Sequence, residues 1–159
     1  MLSTPMLKEG LKAPDFALKG TDNATHALGD FKGHVLVLFL YIKDDTPICT
    51  IEAIEFNKLI DEFGAAGAVV VGLSNDFLDA HHKFKEKHRL KMLLLADPTC
   101  STIKAYGSYG SPEFLKMGAH RDTFVIDGDG TIIKIYRKVQ DCHKHPAEVL
   151  LFIKNSVMR

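Results

Sequence analysis

The chain has 159 residues, the length of one ordinary domain and enough to bury a substantial core. Its 20 Lys and Arg balance 20 Asp and Glu, so nothing points to the basic face of a nucleic-acid binder. The longest apolar run, Val35 to Ile42, falls far below the ~18 residues that read as a membrane span. The three cysteines, at 49, 100 and 142, are odd in number and too scattered for a disulfide framework, which implies a reducing compartment. The opening segment MLSTPMLKEG has no apolar signal core, and the expectation is an unprocessed cytoplasmic protein of one domain, residues 1–159, with no nucleic-acid or membrane partner.

Residues 1–10 are a polar leader. Leu11 to Leu18 contains Pro14 and reads as an edge strand or extended segment. Loops at Gly20 to Asn23 and Gly29 to Gly33 enclose a short alternating piece. His34 to Ile42 is continuous, apolar and rich in branched and aromatic residues, as suits a strand buried on both faces. A helix follows over about 47–63, with Ile48, Ile51, Phe56, Leu59, Ile60 and Phe63 at helical spacing, and GAAG at 64–67 ends it. Ala68 to Leu73 is a second apolar strand, which should run parallel to the first through a right-handed crossover.

Phe77 to His88 reads as a charged helix with Phe77, Leu78, Ala80 and Phe84 as a thin apolar stripe. Met92 to Leu95 is a short strand, Thr99 to Tyr106 a short helix, and Gly107 to His120 a glycine-rich loop. Arg121 to Ile126 and Thr131 to Tyr136 are strands joined by the hairpin signal Asp127-Gly128-Asp129-Gly130. Pro146 to Val157 forms the closing helix. The order β-α-β-α-β-α-β-β-α predicts an α/β protein of thioredoxin-like arrangement, a mixed central sheet flanked by helices on both faces.

One stretch stands out for chemistry. In KDDTPICTIE, residues 43–52, Thr46 suits an N-cap and Pro47 the first helical position. Cys49 then falls in the first turn, at the positive end of the helix dipole, where a thiol ionises more readily and becomes a nucleophile. Cys100 and Cys142 carry the ordinary reading of a cysteine, a small buried apolar residue. No second cysteine stands three positions from Cys49, since those places are Thr46 and Glu52, so dithiol exchange is disfavoured. A single activated thiolate suits attack on a small electrophile such as a peroxide, giving a sulfenic acid. Backbone N–H groups, the Thr46 hydroxyl and an arginine are suitable donors for the leaving oxygen.

At these residues the chain resembles the peroxiredoxins, in particular the bacterioferritin comigratory protein, or Q-type, group. Gly10, Ala13, Pro14, Asp15 and Phe16 match an opening motif, Asp30-Phe31-Lys32-Gly33 a second, and residues 43–52 are similar to the active-site segment. Val71-Gly72-Leu73-Ser74, Asp97-Pro98, Ala105-Tyr106-Gly107, His120-Arg121, Thr123 to Asp127 and His145 to Leu150 follow in family order. The resemblance implies that Cys49 is the peroxidatic cysteine, Thr46 its hydrogen-bonding partner and Arg121 the cation beside the thiolate. Glu52 would orient Arg121, although a first-turn glutamate equally suits the helix dipole. By position alone Arg121 is an ordinary surface arginine at a strand start.

Three departures from the group's pattern bear on function. Ile42 replaces a proline and Ile48 a glycine near the cysteine, and Ile54 stands where many members carry a resolving cysteine. The helix at 77–88 lacks one too. The expected cycle is therefore of one-cysteine type, with an external thioredoxin- or glutathione-type thiol as reductant, unless Cys100 or Cys142 has taken the resolving role. No cofactor is implied, and the histidines of 81–88 and 142–145 read as a solvated face rather than metal ligands. The substrate is a peroxide and the assembly a monomer or weak dimer. The competing readings are a non-catalytic thioredoxin-fold interaction module, in which Ile42 and Ile48 mark decay of the site, and a redox sensor that passes oxidation to a partner.

Overall fold

The computed structural model describes residues 7–111 and 117–156. Its strands are β1 (Ala17–Gly20), β2 (Thr25–Ala27), β3 (Val35–Leu40), β4 (Ala68–Ser74), β5 (Leu93–Ala96), β6 (Asp122–Ile126) and β7 (Ile132–Tyr136). They form one sheet in the order β2-β1-β5-β4-β3-β6-β7. The helices are α1 (Pro47–Lys58), α2 (Ile60–Ala65), α3 (Leu78–His88), α4 (Ser101–Ala105) and α5 (His145–Ser156).

β3 is the axis of the molecule. All six of its residues are buried, as its unbroken apolar run predicts. It pairs in parallel with β4 and antiparallel with β6, so the sheet is mixed. Because successive side chains of a strand point to opposite faces, β3 feeds two separate cores. Val35, Val37 and Phe39 pack with Cys49, Ala53 and Phe56 of α1, Phe63 of α2, Phe84 of α3 and Val149 and Ile153 of α5. Leu36, Leu38 and Leu40 pack on the other face with Ala13, Phe16 and Leu18 near the N-terminus and with Ile103 and Tyr106 at α4. Gly72 of β4 allows this arrangement. A Cβ there would lie 2.9 Å from the Phe39 ring and 2.8 Å from Leu94, and that same ring stacks on Phe56 of α1 at 4.6 Å.

The register places the site. Leu40, the last residue of β3, pairs with Asp122, the first of β6. Arg121 therefore stands beside the point where the chain leaves β3 for the 41–46 loop and α1. Carboxyl ends of strands in open α/β sheets are the usual place for ligand chemistry.

Three expectations change. The N-terminal strand is Ala17–Gly20 rather than 11–18, and it lies inside the sheet between β2 and β5, the edge being taken by β2. The helix expected over 47–63 breaks at Leu59 into α1 and α2, where Asn57 is drawn off to the α3–β5 connection. Its amide donates to the Arg89 carbonyl at 3.3 Å and its oxygen accepts from Lys91 N at 2.7 Å. On α3 the buried residues are His81 and Phe84, whereas Phe77 precedes the helix and is 73% exposed. Residues 112–116 of the expected loop at 107–120, and Val157 of the closing helix, lie outside the described residues.

Candidate active site

The loop leaving β3 is bolted down from below. Asp44 receives a hydrogen bond from the Tyr41 hydroxyl at 2.5 Å and meets His81 Nδ1 at 2.6 Å. The other ring nitrogen of His81 donates to the Leu95 carbonyl at 2.8 Å, which fixes its proton there. Asp44 N donates to Asp76, and Ser74 Oγ donates to the same carboxylate. On the outside, Lys87 and His88 of α3 hold Asp45, and these bonds keep its carboxyl below the usual carboxylate range. The solvated face expected for the 81–88 histidines is thus wrong for His81, which is fully buried. A helical wheel shows which residues share a face, but not that α3 turns this one toward the sheet. Asp44, Asp76 and His81 offer metal-ligand atoms within 4.8 Å of one another, and each is already engaged in the hydrogen bonds above.

From this loop the chain enters α1 as its sequence predicts. Thr46 is the N-cap with an extended backbone, and Pro47 is the first helical residue. The Thr46 hydroxyl does not cap the helix. It donates to the Lys43 carbonyl at 2.8 Å, which leaves its oxygen lone pairs as acceptors toward the loop.

Cys49 lies in the first turn of α1, 1% exposed. Glu52 is three residues on, so both side chains leave the same face of α1. Arg121 spans the two. Its Nη2 donates to Cys49 Sγ at 3.3 Å and its Nη1 donates to Glu52 Oε1 at 3.0 Å. The planar guanidinium suits this bridge, since its donors project as a rigid fork. The structure therefore brings together three of the four residues singled out from sequence, with Thr46 at the N-cap of the same helix and no direct hydrogen bond to them among the described residues. Burial pushes the Glu52 carboxyl up to about 7, with Arg121 opposing and Asp122 adding to the rise. Burial works against the charge on Arg121, but Glu52 and Cys49 outweigh it and raise its pKa further. The second carboxylate oxygen, Glu52 Oε2, is buried with no hydrogen-bond partner among the described residues.

Two further residues, Cys142 and His145, stand near the site, a placement that the sequence alone does not give. After β7 the chain doubles back, and Val139 N donates to the Arg121 carbonyl at 2.8 Å. Three residues later Cys142 lies buried in the turn before α5. Burial, Glu52, Cys49 and Asp141 push its thiol up to about 12 against the pull of Arg121. His145, buried rather than on the solvated face expected for it, then opens α5, shares a hydrogen bond with Thr123 Oγ1 at 2.8 Å, and is pulled down to about 4 by burial and by Arg121. Ile48 and Ile51 line a cavity of about 330 Å³ with Gln140, Asp141, Cys142 and His143. Ile48 is 48% exposed on its rim, whereas Ile42 is buried in the core that holds Cys49.

A thiol, a guanidinium on its sulfur and a helix N-terminus behind it form a site for nucleophilic attack by sulfur. The model of the AhpC/TSA family matches residues 10–135, which include Cys49, Glu52 and Arg121. The chain belongs to the AhpC/TSA family. It is 43% identical over 149 residues to peroxiredoxin Bcp of Bacillus subtilis, covering 92% of this chain and 94% of that one. Among solved structures it is similar to peroxidoxin BcpB of Mycobacterium tuberculosis, with TM-score 0.87, 28% identity and coverage of 94% and 98%. It is also similar to the bacterioferritin comigratory protein of Xanthomonas campestris, described for its alkyl peroxide reduction activity, with TM-score 0.84, 30% identity and coverage of 93% and 98%. The thioredoxin-like fold and the peroxiredoxin resemblance hold. The chain is an enzyme of thiol-dependent peroxide reduction, and the reading as a non-catalytic module gives way. Among the described residues no helix is long and apolar enough to cross a membrane.

Proposed function

We propose that Cys49 is the peroxidatic thiolate and that Arg121, Thr46 and Glu52 serve it. The observation that carries this reading is the Arg121 bridge, with one guanidinium nitrogen on Cys49 Sγ and the other on Glu52. In the first step the thiolate attacks one oxygen of a hydroperoxide. The S–O bond forms as the O–O bond breaks, and the alkoxide or hydroxide that leaves is protonated to an alcohol or water. Arg121 compensates the charge as it passes from sulfur to the leaving oxygen, and the free N–H groups of the first turn of α1 point the same way. Thr46 accepts the O–H of the incoming hydroperoxide through the lone pairs its bond to Lys43 leaves open. Glu52 fixes the guanidinium plane.

The substrates are hydrogen peroxide and organic hydroperoxides. The apolar cavity walled by Ile48 and Ile51 offers room for an alkyl group, and the Xanthomonas relative gives precedent for such substrates. A thioredoxin- or glutathione-type thiol supplies the reducing equivalents, either to the sulfenic acid itself, as in the one-cysteine scheme, or to a disulfide formed from it. Three free cysteines suit a reducing compartment such as the cytoplasm, and the assembly we propose is a monomer or weak dimer. The test is oxidation of the reduced protein with one equivalent of hydrogen peroxide, followed by peptide mapping. Oxidation that begins at Cys49, seen as its sulfenic acid or as a disulfide formed from it, and abolished turnover in Cys49→Ser, are expected; an unmodified Cys49 after peroxide consumption would defeat the reading.

A further inference from the structure

We infer that Cys142 is the resolving thiol of this enzyme: it closes an intramolecular disulfide with oxidised Cys49, and Glu52 carries the proton that this step releases. The inference rests on Cys49 being the peroxidatic residue.

Three observations converge on Cys142. The first is its place. The chain leaving β7 is tied to Arg121 through Val139, and the next turn sets Cys142 against the residues that flank Cys49, Ile48 and Ile51. The groups that act on its thiol are Glu52, Arg121 and Cys49 themselves, with Asp141. Cys100 offers a contrast within the same chain. Its neighbours are Asp97, Asn75, Lys104 and Gly118, which lie just past the ends of β5 and β4, on α4 and in the segment before β6.

The second observation is room to move. A disulfide needs Cα atoms about 4.4–6.8 Å apart with Cβ atoms converging, so either partner must be able to shift. Cys142 is carried by a turn, not by a strand or helix, and the cavity of about 330 Å³ opens between it and the first turn of α1. No side-chain cap anchors that first turn, because Thr46 gives its hydroxyl to Lys43 instead.

The third is the orphan oxygen. Glu52 Oε2 is fully buried and has no donor among the described residues. A buried carboxylate oxygen without a partner is costly, and such groups are retained where they have work to do. A thiol buried beside it stays protonated and is a poor nucleophile unless a base accepts its proton. Glu52, whose carboxyl titrates near neutrality, is suited to take that proton and give it up again.

The step balances without another reactant. Cys142 sulfur attacks the sulfenic sulfur of Cys49, an S–S bond forms and the S–O bond breaks. The thiol proton passes through Glu52 to the departing hydroxide, and water leaves. One sulfenic acid and one thiol become one disulfide and one water, and an external thiol then reduces the disulfide.

The experiment uses the full chain, reduced and then given one equivalent of hydrogen peroxide, with non-reducing peptide mapping over time. A Cys49–Cys142 disulfide, with Cys100 still a free thiol, is expected. Cys142→Ser and Cys142→Ala should oxidise at Cys49 as fast as the parent but stop at a sulfenic acid that a dimedone trap captures, and excess peroxide should carry it to the sulfinic acid. Unchanged first-equivalent kinetics in these variants guards against misfolding. Cys100→Ser should form the disulfide like the parent. In Glu52→Gln the lag between sulfenic acid and disulfide should lengthen and lose its pH dependence near neutrality. A parent protein that holds a stable Cys49 sulfenic acid without the disulfide would overturn the inference and leave the peroxidase reading in place. An unoxidised Cys49 would overturn both.

Discussion

Two buried polar clusters flank the entry to α1, and they differ in how completely their atoms are satisfied. Around His81 the Asp44 carboxylate, the Tyr41 hydroxyl, both ring nitrogens and the Leu95 carbonyl are matched with one another, and Asp76 is matched with Ser74 and the Asp44 amide. Around Arg121 a thiol, a guanidinium and a carboxyl meet, and one carboxylate oxygen is left over. The lesson is one of division of labour. A network with every donor and acceptor paired fixes geometry, and the 41–46 loop needs fixing because it aims α1 at the end of β6. A network with an unpaired oxygen and a protonated thiol at its border retains the capacity to exchange protons.

The strongest way to break the comparison is to remove the cation. Arg121→Met should lower the second-order rate of peroxide consumption by about 10²–10³, the usual loss for a donor aimed at developing negative charge. Stopped-flow oxidation of the thiol checks this, and a rate within a factor of a few of the parent would detach Arg121 from the chemistry. His81→Ala should act on the other quantity. It leaves Asp44 and the Leu95 carbonyl short of a partner, at about 1–3 kcal/mol for each buried group so stranded. Denaturant unfolding should show that loss, while the variant's Cys49, once folded, should still react with peroxide. If the rate collapsed and stability held, the two clusters would have exchanged roles.

A substitution away from both clusters tests how α1 is aimed. Gly72→Ala drives a methyl against the Phe39 ring and Leu94, and should cost about 1–3 kcal/mol by overpacking. Because Phe39 carries Phe56 of α1, slower oxidation of Cys49 should accompany the loss; unchanged stability would mean that the ring swings aside freely.

The finest test is one of sign. Burial lifts Glu52 from 4.5 to about 7. The folded protein therefore keeps this proton where the unfolded chain has lost it, and the stability so gained is present at low pH and lost as pH rises from about 4.5 to 7. His145 is drawn down from 6.5 to about 4 by burial and Arg121, so it has the opposite effect. There the unfolded chain binds the proton first, and stability falls as pH drops from about 6.5 toward 4. In the parent the two trends offset each other over much of this window. Glu52→Gln should expose the His145 trend as a steeper loss of stability on acidification, and His145→Asn should expose the reverse. Parallel stability profiles for the two variants would refute both assignments.

Much of this arrangement was legible in the chain. The continuous apolar runs at 35–40 and 68–73 are buried strands, paired in parallel as their intervening helix requires. The Thr46-Pro47 helix start is where local capping rules put it, and Asp127 to Gly130 connects the antiparallel β6 and β7. Two of the features that local rules missed depend on partners far along the chain. The break at Leu59 follows Asn57 across to Arg89 and Lys91, and the burial of His81 follows Asp44 and Leu95. Phe77, apolar and in step with a helical stripe, was expected inward and points outward because α3 begins after it.

By itself the sequence determined most of the elements, their order and the place of the candidate nucleophile, since apolar periodicity, proline at the first helical position and a cysteine in that turn are properties of a few adjacent residues. Arg121 was singled out there through resemblance, and its position alone marked an ordinary arginine before a strand. Only the tertiary structure decided that its guanidinium bridges Cys49 and Glu52, and that Cys142 comes to lie beside them. The reason is the sheet. The antiparallel pairing of Leu40 with Asp122, and the return of the chain from β7 over Arg121, are long-range registers that no short window of sequence encodes.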